Sequence, residues 1–228
     1  MIKEILATEK APTNSQDSHG LTPLAWACLT LDLDAVSPLL EADLVDLNIA
    51  DNNGYTPLHH AVEGRSVPIT TALIAAGKAS VGMKNKDGYT PLSLACLNGN
   101  TTLVKYILYN CQADINTQDR YGRIPVYNCI WMEDVDMLCL TLQIGQANLN
   151  VVDNLWCIPL LLSAYQSKWY SAYLLLNYKE AVNMKDQQGR TVLFWAIMHG
   201  QTDIVRLLIS PEQTALNVRN GEGLTPLS

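Results

Sequence analysis

Histidine and cysteine are the side chains of this sequence most able to do chemistry. His59 and His60 are adjacent, and such a pair suits a metal site or a proton relay when both rings face the same way. Successive residues of a helix point about 100° apart, which argues against shared ligation. Cys157 falls on a predicted turn, where we expect an accessible thiol, but nothing near it in the sequence would activate it as a nucleophile. These residues therefore favour structural or incidental roles.

No catalytic or metal-binding pattern accompanies these residues. The sequence has no Walker-type phosphate loop, no G-x-S-x-G, no H-E-x-x-H and no cysteine pair at the spacing of a zinc site. We therefore expect no catalytic residues, no metal and no cofactor, and a protein that is not an enzyme.

The composition indicates a folded protein that binds neither nucleic acid nor membrane. Of the 228 residues, 48% are apolar and only 16% are charged, which excludes disorder. The formal net charge of −7 disfavours nucleic acid, because phosphate contacts need a basic field. Cys28 and Cys96 fall at equivalent apolar positions, as reduced thiols do, which favours a cytoplasmic or nuclear protein. The most apolar window, 158–176, is interrupted by polar residues, so we expect no membrane span.

A sequence repeat determines where these residues lie. A marker resembling Thr-Pro-Leu recurs every 34 residues, with one interval of 33. Its first residues are Thr22, Thr56, Thr90, Ile124, Ile158, Thr191 and Thr225. Two positions before the marker, six of seven units have glycine, and the exception is Trp156. Five positions before the marker, every unit has Asp or Asn.

Each recurring position has a physical reason. Asp or Asn followed three residues later by Gly makes a tight turn. Thr caps a helix whose first residue is Pro, and Leu with a small residue three positions later forms one helical face. Paired apolar residues such as Leu73 and Ile74 mark a second helix. Each unit is therefore predicted to be turn, helix, loop, helix. The units at Ile124 and Ile158 lack the capping Thr, so we expect local irregularity or a specialised surface there.

The pattern resembles the ankyrin repeat, whose unit of about 33 residues begins Thr-Pro-Leu-His. The resemblance covers nearly the whole chain and implies an all-α ankyrin-repeat solenoid, in which stacked helix-turn-helix units are joined by β-hairpin-like loops. We expect a single domain over 1–228. Its predicted repeats are a partial one at 1–16, full ones at 17–50, 51–84, 85–118, 119–152, 153–185 and 186–219, and a truncated one at 220–228. His59 keeps the family's histidine, and the resemblance implies that its ring ties adjacent hairpins together.

The resemblance also implies a binding surface on the concave side, built from the turn tips and the exposed side of the first helices. Helical spacing places positions four, seven and eight after each marker on one face. The aromatic and apolar side chains of that face and of the tips are typical of interaction sites. The predicted partner-binding residues are Tyr55, Tyr89, Tyr121, Arg123, Trp131, Met132, Tyr165, Trp195 and Met198. The alternative is that position four, which includes Leu94, Leu162 and Trp195, packs between neighbouring helices.

The expected function is a non-enzymatic protein–protein interaction scaffold that binds a peptide segment or a folded protein. The alternative is a regulatory or substrate-recruiting ankyrin domain of a larger enzyme, channel or acyltransferase, or a microbial host-directed effector. Residues 2–8 are expected to form the second helix of a preceding unit, and Ser228 falls where a first helix begins, so we expect a longer native protein. Ends without polar caps predict fraying or self-association.

Overall fold

The computed structural model describes residues 13–42, 44–144, 146–178, 182–209 and 215–228. The chain divides into two compact units, the first ending at Arg120 and the second beginning at Tyr121. The described residues form α-helices and turns, with no β-strand among them. The helix expected over residues 2–8 lies outside the described residues. None of the described helices is both long and apolar enough to cross a membrane.

Both units are built from pairs of short helices, and in each pair the first helix is shorter than the second. The helices of the first unit are α1 (Pro23–Leu29), α2 (Leu33–Glu41), α3 (Pro57–Glu63), α4 (Val67–Ala75), α5 (Pro91–Leu97) and α6 (Thr101–Cys111). The helices of the second unit are α7 (Pro125–Met132), α8 (Val135–Ile144), α9 (Pro159–Tyr165), α10 (Trp169–Leu176), α11 (Val192–Met198) and α12 (Thr202–Ile209).

The helix starts follow the predicted capping chemistry. The Thr22 hydroxyl accepts a hydrogen bond from the Ala25 backbone N–H at 3.2 Å, and Thr56, Thr90 and Thr191 cap α3, α5 and α11 in the same way. Such a cap satisfies a backbone donor that has no partner within the helix. At Ile124 and Ile158 no side chain caps the helix, as the missing hydroxyls predict.

The core runs through the helix pairs of each unit. In the first unit, first helices pack on first helices (α1 on α3, α3 on α5) and second helices pack on second helices. Leu24, Leu58 and Leu92 are fully buried between them. A buried leucine contributes roughly 1.5–3 kcal/mol, and the neighbouring alanines allow the helices to approach closely. The second unit repeats this packing with α7 on α9 and α9 on α11.

The loops between successive repeats are hydrogen-bonded turns, which we call tips. At the tip of residues 51–55, the Asp51 carboxylate accepts the backbone N–H groups of Asn53 and Tyr55, while Asp51 N–H donates to the Tyr55 carbonyl. Gly54 has φ +81° and lies so close to the next tip that a Cβ would sit 2.8 Å from the Lys86 nitrogen. Glycine therefore permits both the turn and the close approach of neighbouring tips.

Candidate functional site

His59 ties one hairpin to the next, as the ankyrin resemblance implies. Its Nδ1 lies 3.2 Å from the Thr56 nitrogen, and its Nε2 lies 3.1 Å from the Tyr89 carbonyl oxygen. Burial lowers the pKa of His59 to about 4, so the ring is neutral at physiological pH. His60 instead directs Nε2 to Asp51 Oδ2 at 3.1 Å. The two rings have separate partners, and no cluster that could hold a metal occurs among the described residues.

The expectation of an accessible Cys157 thiol is wrong. The residue is only 5% exposed, and its backbone N–H donates to Asp153 Oδ1 at 2.9 Å. Burial, reinforced by the negative charges of Asp153 and Asp186, raises the pKa of the thiol to about 12. A thiol that stays protonated is a poor nucleophile.

The tip aspartates position the first-helix side chains. While Oδ1 of Asp17, Asp51 or Asp186 holds backbone N–H groups of the turn, Oδ2 binds the side chain nine residues later. These bonds are Trp26 Nε1 to Asp17 at 2.8 Å, His60 Nε2 to Asp51 at 3.1 Å and Trp195 Nε1 to Asp186 at 3.2 Å. One carboxylate thus fixes both a tip and a ring of the adjoining helix.

The predicted binding residues divide into exposed and buried ones. We use "tip face" for the surface formed within each unit by the turn tips and the exposed side of the first helices. On the tip face of the second unit, Trp131, Met132, Tyr165 and Met198 are 51–60% exposed, and Tyr121 is also exposed. Arg123, Tyr55 and Tyr89 are half-buried. Trp195 is only 7% exposed and supports the surface from beneath, as do Leu94 and Leu162 at the same repeat position.

Arginines and aromatic rings form an ordered layer on the tip face of the second unit. The Arg123 guanidinium carbon lies 5.1 Å from the centre of the Tyr121 ring and 5.2 Å from that of Trp131. The Arg190 guanidinium carbon lies 4.0 Å from the Trp195 ring, which meets Tyr165 edge to face at 5.2 Å. Cation–π and edge-to-face contacts each contribute about 0.5–1.5 kcal/mol. The exposed rings are therefore held in place before any partner binds.

The two predicted tyrosines of the first unit have mainly structural contacts. The Tyr55 ring packs 5.6 Å from His59 and 5.2 Å from His60, and its hydroxyl donates to Glu63 at 3.5 Å. Tyr89 provides the carbonyl that binds His59. The Tyr55 ring and the Tyr89 backbone thus help to hold the tips on the first helices, and both residues remain partly exposed.

Sequence reasoning missed Leu155 and Trp156 as surface residues. Leu155 is 48% and Trp156 is 64% exposed, and Trp156 occupies the glycine position of its tip with φ +60°. A left-handed backbone costs a bulky residue about 1–2 kcal/mol. The signal is present in the sequence as the single break in the glycine pattern, which predicts local irregularity or a specialised surface in this repeat without assigning these two residues to it.

Repeated helix pairs that bury their apolar faces against their neighbours define the class of helical repeat proteins. Within that class, the family model described as ankyrin repeats (3 copies) matches residues 1–81 and 160–228, and the model described as ankyrin repeats (many copies) matches residues 73–126. The chain belongs to the ankyrin-repeat family, with the all-α ankyrin solenoid fold.

A solved structure supports this assignment. The crystal structure of the ankyrin repeat domain of Bcl-3, a member of the IkappaB protein family, is similar with a TM-score of 0.80 and 27% identity. The match covers 92% of this chain and 94% of that one. Among curated proteins, no sequence matches the chain.

Proposed function

We propose that this protein is a binding scaffold that holds a peptide segment or a folded protein on its tip face. Ankyrin repeats are generally protein-interaction modules and typically non-catalytic, and the similar Bcl-3 domain comes from the IkappaB family. The observation that carries the proposal is the row of half-exposed Trp131, Met132, Tyr165 and Met198 on first helices of the second unit. Exposed aromatic and methionine side chains of this kind are enriched at binding hot spots.

The predicted residues take different roles in this proposal. The exposed ones form the contact surface, while Arg123 and Trp195 orient the rings that touch the partner. Because these rings are pre-ordered, little side-chain entropy is lost when a partner binds. Tyr55 and Tyr89 contribute the edge of the corresponding surface in the first unit. We also retain, as proposals, the predicted repeat boundaries and a cytoplasmic or nuclear location.

A double variant tests the proposal. Wild-type protein and Trp131→Ala/Tyr165→Ala would each be cross-linked in cell extract, and the captured partners would be compared. We expect a partner of the wild-type protein to be lost by the variant, because truncating a hot-spot residue costs about 2 kcal/mol or more.

The matched control is Tyr109→Ala/Tyr170→Ala, which removes two exposed rings from the second helices α6 and α10. All three proteins must have the same thermal melt. Capture that survives the tip-face variant but is lost by the control would place binding on the second helices and overturn the proposal.

A further inference from the structure

A cleft lies between two tips of the second unit, at the place where the repeat pattern breaks. Its floor is Leu162 and Cys157, its rim is Leu155 and Tyr165, and its far wall comes from Asp186, Gln187, Gln188 and Arg190. The cleft has a volume of about 120 Å³. For comparison, an apolar cavity of about 150 Å³ holds one benzene molecule. The cleft is therefore large enough for one aliphatic side chain.

Trp156 distinguishes this cleft from those that also lie between regular tips, such as the one lined by Asp51, His60 and Lys86. Regular tips are joined by a backbone hydrogen bond, such as Lys86 N–H to Asn53 O and Arg120 N–H to Asp87 O in the first unit, each near 3 Å. That approach leaves no room for a Cβ on the intervening glycine, since at Gly88 it would sit 2.6 Å from the Arg120 nitrogen. Trp156 has a Cβ. Among the described residues, no backbone hydrogen bond joins the tip at Asp153 to the tip at Asp186.

A longer side-chain contact replaces the missing backbone bond. Gln187 Nε2 donates to the Asn154 carbonyl at 3.5 Å. Leu155 lies at the edge of the opening with 48% of its surface exposed. Leu162 is the residue nine positions after Asp153, where the other repeats have Trp26, His60, Leu94, Asn128 and Trp195, so the floor beneath this opening is aliphatic.

The charges around the cleft are already paired. Arg190 Nε donates to Asp186 Oδ2 at 2.9 Å, and Arg123 Nε lies 3.7 Å from Asp153 Oδ2. Among the described residues that line the cleft, only Asp186 and Arg190 are charged, and they pair with each other. An incoming charged side chain would lose hydration without gaining a partner. The exposed amide of Gln188 suits the polar backbone of an extended peptide.

We infer that this cleft is the specificity pocket of the proposed binding surface, and that it takes an aliphatic side chain (Leu, Ile, Val or Met) from an uncharged, extended segment of a partner protein. The inference rests on the proposed function and names the chemistry of the partner. Trp156 acts as the positioning residue whose Cβ prevents the regular backbone hydrogen bond between the two tips, and Leu155, Leu162 and Tyr165 provide the apolar contact.

Panning a random peptide library on the 228-residue protein tests the inference directly. We expect peptides of about twelve residues, long enough to cross several repeats when extended, to be enriched in aliphatic residues without enrichment of acidic or basic ones. Their affinity, measured by fluorescence anisotropy, should change less than about twofold between about 0.05 M and about 0.5 M NaCl, because an uncharged peptide makes no ionic contact for salt to screen. Charged or salt-dependent binders, or no binders, would overturn it.

Two substitutions of Trp156 distinguish an effect of the pocket on binding from a direct contact of the indole with the peptide. Trp156→Gly allows the regular backbone hydrogen bond to form and changes the spacing of the cleft walls, so selected peptides should bind about tenfold more weakly to a protein that is no less stable. Trp156→Ala keeps the Cβ and should bind within about threefold of wild type. An equal loss in both variants would make the indole itself the contact, and no loss in either would remove the pocket from the interface.

A second test of the inference introduces a charge at the rim of the cleft. Leu155→Asp should weaken peptide binding about tenfold through the desolvation of the new carboxylate, while the matched control Leu44→Asp, on an exposed loop residue of the first unit, should leave it unchanged. Equal behaviour of these two variants contradicts the inference. The proposed function has its own readout, because a cross-linked partner lost by Trp131→Ala/Tyr165→Ala would support it whatever the peptide results are.

Discussion

The tip faces of the two units differ in chemistry although they rest on the same scaffold. In the first unit, the clefts of the tip face are lined by Asp51, Glu63, Lys86 and Asp87 with His60 between them. In the second unit, equivalent helix positions carry Trp131, Tyr165 and Met198. Both units nevertheless bury the third residue of the marker, which is Leu in every full repeat except for Val126, and use the same Asp or Asn turns.

The comparison shows that the scaffold and the surface are specified by different positions of the repeat. Marker leucines and tip aspartates make contacts that every repeat requires, so the same residue types recur at these positions. Positions seven and eight after the marker point away from the core and are free to vary. The second unit uses that freedom for exposed aromatic side chains, and it also departs from the scaffold rules at Ile124, Trp156 and Ile158.

The largest expected difference between the units is in their response to acid. His59 is buried and neutral in the first unit, with its pKa lowered from 6.5 to about 4. The unfolded chain binds a proton below pH 6.5 that the folded chain does not, so stability is lost as pH falls from about 6.5 towards 4. The loss amounts to about 3 kcal/mol at most. Burial lowers the pKa of His60 too, which acts in the same direction.

Native-state hydrogen exchange at pH 7 and pH 5 measures this effect in each unit. Amides of α3 should lose protection at pH 5 in the wild type, after correction for intrinsic exchange rates, and much less so in His59→Gln. His199→Gln serves as the control, because His199 is exposed in the second unit. An acid response of α11 equal to that of α3 would contradict the assignment to His59.

Opposite substitutions at the glycine position of the tip should change the free energy of unfolding in opposite directions. Gly54→Ala places a Cβ 2.8 Å from the Lys86 nitrogen at φ +81°, so we expect a loss of about 2 kcal/mol. Trp156→Gly relieves a left-handed tryptophan and should increase stability by about 1 kcal/mol. Urea unfolding of the two variants checks both signs, and destabilisation by Trp156→Gly would mean that the indole packs in a way that its exposure does not indicate.

The smallest expected effect concerns the helix caps. Thr22→Val removes the hydroxyl that accepts the Ala25 N–H and should cost about 1 kcal/mol. Ile158→Thr restores a cap in the second unit but sacrifices a fully buried side chain, so we expect a net change near zero. Equilibrium unfolding compares the two directly. A clear gain in Ile158→Thr would show that capping outweighs burial at that position.

Much of the fold could be predicted because the repeat is local. The Thr22 cap, the Asp51 turn and the pairing of helices depend on hydrogen bonds and periodicities within a few residues, which the sequence displays directly. His59 was also predictable, since its position in the repeat identified the neighbouring hairpin as its partner. The clefts were not, because their walls come from tips that are more than thirty residues apart in the chain.

The sequence by itself determined the repeat, the helix starts, the turns and the set of side chains that share a helical face. Only the tertiary structure decided which of those side chains remain exposed. Tyr165 and Trp195 lie on equivalent faces, yet Tyr165 is half-exposed while Trp195 is buried under Arg190 and bonded to Asp186. Cys157 is buried as well, although it lies at a turn tip. Exposure depends on what the neighbouring elements place over a side chain, and helical periodicity carries no information about that.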